Sequence, residues 1–216
     1  MPAGTSGSPL ERGFTDSYPA QFRDGRQLPL PIRVLPGDGT KAVASLIINQ
    51  ASFAVEDALA EALTHEILPF AADVVIGVPT LGLPLAANVA RRLGHSRMVA
   101  LGTSRKFWYQ DELSEPMSSI TSPAHAKSIF IDPRMLPLLE GKRVALIDDV
   151  ISSGSSLAAV LRLLDKAGVE PVVIGAAMLQ STRWHEPLAP WRERIVAAIR
   201  SPMLERTAEG GWRPLA

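Results

Sequence analysis

The 216-residue chain contains no cysteine. Disulfides, thiol catalysis and thiolate metal sites are therefore excluded, and a cytoplasmic setting is the default expectation. There is no excess of charge either: 22 lysines and arginines face 22 aspartates and glutamates. Composition gives no general attraction to nucleic acid or to an anionic membrane, and neither is expected as a partner. No apolar run is long enough, and free enough of proline and aspartate, to span a bilayer. The opening MPAGTSGSPLERGF lacks the basic-then-apolar build of a secretory leader. Internal repeats are absent, and so is a G-x-x-x-x-G-K-[ST] loop. His65, His95, His125 and His185 show no metal-ligand spacing. The length suits one domain with a good-sized core and a small appended lobe.

What is present is concentrated in Val144–Ser156, reading VALIDDVISSGSS. Val144-Ala145-Leu146-Ile147 is an unbroken apolar run, as expected of a strand buried on both faces of a parallel sheet. It stops at two carboxylates, Asp148 and Asp149. After Val150-Ile151 comes a turn of small hydroxylated residues around one glycine: Ser152, Ser153, Gly154, Ser155 and Ser156. Leu157, Val160, Leu161 and Leu164 then mark one face of a helix over Ser156–Ala167, with Gly168 beyond its end. Backbone N–H groups in the first turn of such a helix have no partner within it and sit at the positive end of its dipole. The turn therefore reads as a phosphate cradle. No lysine or arginine lies in it, so dipoles rather than formal charge would hold the anion. Two carboxylates suit neutral donors such as a pair of ribose hydroxyls, or a Mg²⁺ carried with the ligand.

Asp-Asp after an apolar strand also occurs in Walker B segments and in receiver domains. The first lacks its phosphate loop upstream, and the second carries its acids after its first strand, far earlier in a chain. The order of apolar strand, two acids, two apolar residues and small-residue loop resembles the ribose-phosphate signature of the type I phosphoribosyltransferases. The resemblance implies that Asp148 and Asp149 contact the ribose hydroxyls of phosphoribosyl pyrophosphate and that Ser152–Ser156 hold its 5′-phosphate.

Earlier in the chain, residues 1–25 are rich in Gly, Ser and Pro and are expected to form a mobile arm, at least at the start. Gln27–Leu35 alternates weakly, as a strand does, before a Pro36–Gly39 turn. Lys41–Leu68 reads as helix with a break near Asn49–Ser52, ended by Pro69. Asp73–Val78 is a second buried strand, running into Pro79-Thr80-Leu81-Gly82-Leu83-Pro84 and a helix over Leu85–Leu93. This strand–loop–helix repeats the βα pattern. The loop resembles the family's pyrophosphate loop, orotate phosphoribosyltransferases above all, so Thr80, Leu81 and Gly82 are candidates for that group. Leu81 stands where many relatives have a lysine or arginine. The family's cis peptide would fall at Thr80–Leu81.

Arg97–Gly102 reads as a third strand. Residues 103–127 are polar and without a period, and a loop of that length is usually functional or disordered. Arg105-Lys106 resembles the pair that reaches pyrophosphate in some members, sometimes in the neighbouring subunit, although a solvated surface pair reads equally well. Phe107–Tyr109 suit a packed hinge or a dimer contact as well as a lid. Ser118–Ser122 lie in the same stretch, and Ser128–Ile131 reads as a short strand. Val172–Leu179 is another buried strand, and the following Ser181–Pro187 lie at the sheet edge that borders the ligand crevice. Trp184 there either stacks on a base or anchors the loop by packing. Ile195–Ile199, Met203–Thr207 and Trp212 suggest a small hairpin lobe.

Together these readings give a doubly wound α/β fold with a mostly parallel sheet and a small hood from both termini. The expected division is 1–40 for the arm and a hood strand, 41–181 for the core and 182–216 for the hood hairpin. The resemblance implies transfer of the phosphoribosyl group to a nitrogenous base, orotate-like or purine, with Mg²⁺ held indirectly at Asp148 and Asp149, and a homodimer. Asp148, Asp149, Arg105 and Lys106 would carry the chemistry. A non-catalytic regulator binding the same ligand is the alternative.

Overall fold

A computed structural model describes residues 13–117 and 127–215. β1 (Ser17–Gln21) and β2 (Gln27–Val34) form an antiparallel hairpin, and β3 (Lys41–Ala44) pairs with β2. Two expectations change here. Ser17–Gln21, assigned to a mobile arm, is a strand that buries Ala20. Lys41–Ala44, assigned to a helix, is also a strand, because buried Ala42 and Ala44 alternate with more exposed neighbours at period two. The helix α1 (Phe53–Ile67) begins at the expected break, where Ser52 Oγ accepts the Val55 N–H at 3.3 Å.

The remaining elements are β4 (Val74–Gly77), α2 (Gly82–Arg92), β5 (Val99–Ala100), β6 (Ser114–Met117), β7 (Lys127–Phe130), β8 (Val144–Ile151), α3 (Ser155–Lys166), β9 (Pro171–Gln180), β10 (Ile195–Ser201), β11 (Met203–Arg206) and β12 (Trp212–Pro214). Five strands in the order β10-β9-β8-β4-β5 make an all-parallel central sheet. Its two faces are separate cores. Val75, Ala145, Ile147 and Val173 pack on α1 and α2, while Ile76, Leu146 and Ile174 pack on α3. Truncating one of these buried leucines or isoleucines to alanine is a loss of roughly 2–5 kcal/mol. The hood is a second five-stranded sheet, β1-β2-β3-β11-β12, built from both ends of the chain.

Three further segments differ from expectation. Only Val99–Ala100 of Arg97–Gly102 pairs as a strand. Ile195–Ser201 is not a lobe hairpin but the edge strand of the core sheet, parallel to β9. The described part of the stretch 103–127 carries regular structure: β6 pairs antiparallel with β7 to form an arm, and Leu113 and Ile129 anchor its base in the core. β7 itself therefore lies outside the central sheet. The serines at 118–122 lie outside the described residues.

Strand order fixes where a ligand can sit. β4 leads outward to β5, and β8 leads the opposite way to β9, so the order reverses between the adjacent pair β4 and β8. In an open α/β sheet the crevice beyond the carboxyl ends of two such strands is the binding place. Both loops singled out from the sequence emerge there.

Candidate active site

β8 delivers Asp148 and Asp149 at its carboxyl end. Asp148 is only 8% exposed, and its Oδ1 accepts the Asp149 N–H at 2.9 Å. Burial, and secondarily the neighbouring Asp149 carboxylate, push the Asp148 carboxyl well above the usual range. The pair therefore holds one negative charge more readily than two.

Across the switch point, Gly82 opens α2 directly against this pair. A Cβ at Gly82 would lie 3.0 Å from Asp148 Cα and 3.2 Å from both Asp148 Oδ1 and the Ile147 carbonyl oxygen. Only glycine lets the helix start so close, and this contact brings the β4 loop to the acids. Val78 N–H donates to the Ile147 carbonyl at 2.9 Å, which fixes the two loops in register. Thr80 is exposed, and Leu81 is half-buried against the core face under α1 and α2. The cis peptide is Pro79–Thr80, one bond before the expected Thr80–Leu81.

Beyond the acids, the chain turns through Ser152 and Ser153 to Gly154, which takes φ +80° as the residue before α3. Asp148, Ser152, Ser153, Gly154 and Ser156 line a cavity of about 90 Å³ at this helix N-terminus. That is room for one tetrahedral anion. The hydroxyls are not equivalent. Ser153 and Ser155 bond each other at 3.0 Å. Ser152 donates to Gln180 Oε1 at 2.9 Å and accepts from Arg183 Nη2 at 2.7 Å, so its proton is committed. Gln180 in turn donates to the Ala44 carbonyl of the hood at 2.9 Å. The cradle is thus tied to both the core sheet and the hood.

Sequence reasoning missed Gln180 and Arg183. The segment after β9 did attract notice, but for Trp184. That ring is 3% exposed, packed in the core, and its Nε1–H donates to the Ser181 carbonyl at 3.0 Å. Of its two readings, packing is the observed one. Trp184 and Leu188 also back the cradle: a Cβ on Gly154 would lie 3.1 Å from Leu188 and 3.3 Å from Trp184 Cβ.

Arg105 and Lys106 are not brought to the acids. Arg105 pairs with Asp111 within its own segment, and both are exposed. Beside them Phe107 is 97% exposed, while the Trp108 Nε1–H donates to Asp132 at 3.1 Å. Among the described residues no group of three or more histidines and carboxylates could hold a metal ion alone, and no helix is long and apolar enough to cross a membrane.

The family model described as a phosphoribosyl transferase domain matches residues 43–202. An adenine phosphoribosyltransferase of Frankia alni is 32% identical over 78% of this chain and 81% of its own length. An orotate phosphoribosyltransferase of Listeria monocytogenes is 33% identical, but over 48% of this chain and 40% of its own. The structure of a Giardia lamblia adenine phosphoribosyltransferase bound to 9-deazaadenine superposes with a TM-score of 0.60, covering 85% of this chain and 93% of that one at 20% identity.

Proposed function

The chain belongs to the phosphoribosyltransferase family, and from that premise we propose that it transfers the phosphoribosyl group of phosphoribosyl pyrophosphate to a purine, adenine first among them, releasing pyrophosphate. The observation that carries this reading is the meeting of the acid pair, buried Asp148 and half-buried Asp149, with a cavity at a helix N-terminus at the sheet's switch point. The purine follows from coverage: likeness to the adenine enzyme spans 78% of the chain, likeness to the orotate enzyme 48%.

In this reading the cradle takes the 5′-phosphate, and the acids take the ribose hydroxyls next to it. Breaking the bond at the anomeric carbon leaves oxocarbenium-like charge on the ribose, as in glycoside chemistry. Asp148 and Asp149 then act by field: the buried Asp148 carboxyl, crowded by its neighbour, is relieved as the sugar becomes cationic, so the interaction is stronger in the transition state than before it. Thr80, Leu81 and Gly82 line the path of the departing group, with Thr80 and backbone N–H groups as donors. Arg105 and Lys106 are the cations for it, and they reach it by movement of their segment or from a second copy in a homodimer.

The donor set fits Mg²⁺ in one manner. Two adjacent carboxylates without a third ligand make no protein cage, and Mg²⁺ is commonly bound through one or two carboxylates together with substrate phosphates. Bound so, it would neutralise charge on the pyrophosphate.

The test is pyrophosphate release from the donor with Mg²⁺ against a panel of purine and pyrimidine bases. Release with adenine is expected. Release with orotate alone would remove the purine part of the reading, and donor binding without turnover on any base would replace the enzyme by a regulator.

A further inference from the structure

We propose that Arg183 is the cation of the phosphate site and sets its preference for a phosphorylated sugar; this rests on the reading of that cavity as the 5′-phosphate cradle. The need for a cation is electrostatic. A phosphate monoester carries about −1.5 to −2 charges at pH 7, and a helix N-terminus offers roughly +0.5. Two carboxylates stand beside the cradle, and no lysine or arginine occurs from Asp148 to Ser156. Dipoles alone leave the site short of positive charge.

Arg183 is held where it answers that deficit. Its Nη2–H donates at 2.7 Å to the hydroxyl of Ser152, a residue of the cavity wall. Its backbone N–H and Nε–H both point at Ser181 Oγ, at 3.3 and 3.4 Å. Ser181 takes the left-handed φ of 63°, and its N–H donates to the Ser201 carbonyl at 2.7 Å. A non-glycine residue in that region is uncommon and marks a turn that the surroundings impose. The turn reverses the chain at the end of β9 and brings the guanidinium onto Ser152, at the edge of a cavity that Arg183 itself does not line. Arg183 takes part in none of the ion pairs among the described residues. Guanidinium has five donor hydrogens in a fork that matches phosphate; here two serve serines, on Nε and Nη2, and Nη1 and the second Nη2 hydrogen remain for a ligand. Ser152 is then a bracket rather than a donor to the anion: its proton goes to Gln180, and its lone pair steadies the arginine.

The experiment is calorimetric binding of ribose 5-phosphate across a salt series to the full chain and to Arg183→Gln and Arg183→Lys. At moderate ionic strength Arg183→Gln should bind about tenfold more weakly, the size of one hydrogen bond to a charged group, and with a shallower salt dependence. Arg183→Lys keeps the charge and should lie between, with the wild-type salt dependence. If Arg183→Gln binds like wild type, or if both variants weaken equally with the salt dependence unchanged, the residue is only a loop brace and the proposal is wrong. Failure of the unmodified chain to bind ribose 5-phosphate would instead overturn the functional reading beneath it.

Discussion

Between Asp148 and Ser156 most side chains already have partners in other elements, whereas Arg105, Lys106 and Phe107 are exposed and Arg105 pairs only with Asp111 of its own segment. The first segment is tied down on three sides: to α2 through the Gly82 contact, to the hood through Gln180, and to the Trp184–Leu188 turn behind Gly154. The second is held at its base and by the bond from Trp108 to Asp132. Glu115, 7% exposed, bonds Arg162 at 2.6 Å and Lys166 at 2.7 Å, so α3 fastens the arm while its N-terminus forms the cradle. Under the proposed function the difference implies a division of labour: the phosphate end of the ligand would meet a site built in advance, and the pyrophosphate end would need a segment that comes to it.

The largest effects should come from the built side. Asp148→Asn keeps the acceptor for Asp149 N–H and should lower turnover by about 10²-fold, the scale of a lost electrostatic contact to the transition state, with a smaller change in donor affinity. Its stability effect should have the opposite sign. A carboxyl whose pKa is raised on folding contributes stability that is intact below its unfolded value near 3.9 and is lost as pH rises through the folded value. At neutral pH Asp148→Asn should therefore melt higher, each ~1 kcal/mol of relief appearing as about 2–4 °C. A lower melting temperature would show that the acid is not a burden on the fold.

Next in size is Gly154→Ala, which adds about 1–2 kcal/mol for left-handed backbone to a 3.1 Å approach on Leu188. Leu188→Ala alone should cost roughly 2–5 kcal/mol. The double variant should be less destabilised than the sum by at least ~0.5 kcal/mol, because the second change makes room for the first. Additive denaturation free energies would break the claim that this turn braces the cradle.

On the arm, Glu115→Gln should cost only about 1 kcal/mol, since Arg162 and Lys166 are 57% and 46% exposed and screened. Its pH dependence mirrors that of Asp148. Hydrogen bonds from Lys166 and Arg162 lower the Glu115 pKa, so its stability is present above about 4.3 and is lost as pH falls through the lowered value. Smallest of all, Arg105→Ala and Lys106→Ala should leave the melting temperature unchanged and weaken pyrophosphate binding. A change in melting temperature without a change in binding would make them surface residues.

The parallel sheet and both its loops were legible because buried parallel strands read as continuous apolar runs and the acid pair and serine turn are contiguous in sequence. Lys41–Ala44 was misread since Lys-Ala-Val-Ala is short and alanine favours a helix; pairing with β2 and β11 overrides that preference. β10 was misplaced because a short apolar run does not say which sheet it joins. Gln180 and Arg183 could not be found, since their partners lie 28 and 31 residues away and nothing local signals the contact.

The most direct test is amide hydrogen exchange with two ligands. Ribose 5-phosphate alone should slow exchange at residues 153–157, the first turn of α3 and the loop before it, and leave 103–113 unchanged. Phosphoribosyl pyrophosphate with Mg²⁺ should slow both. Protection of 103–113 by ribose 5-phosphate, or its absence with the pyrophosphate donor, would contradict the division between a built cradle and an arriving arm.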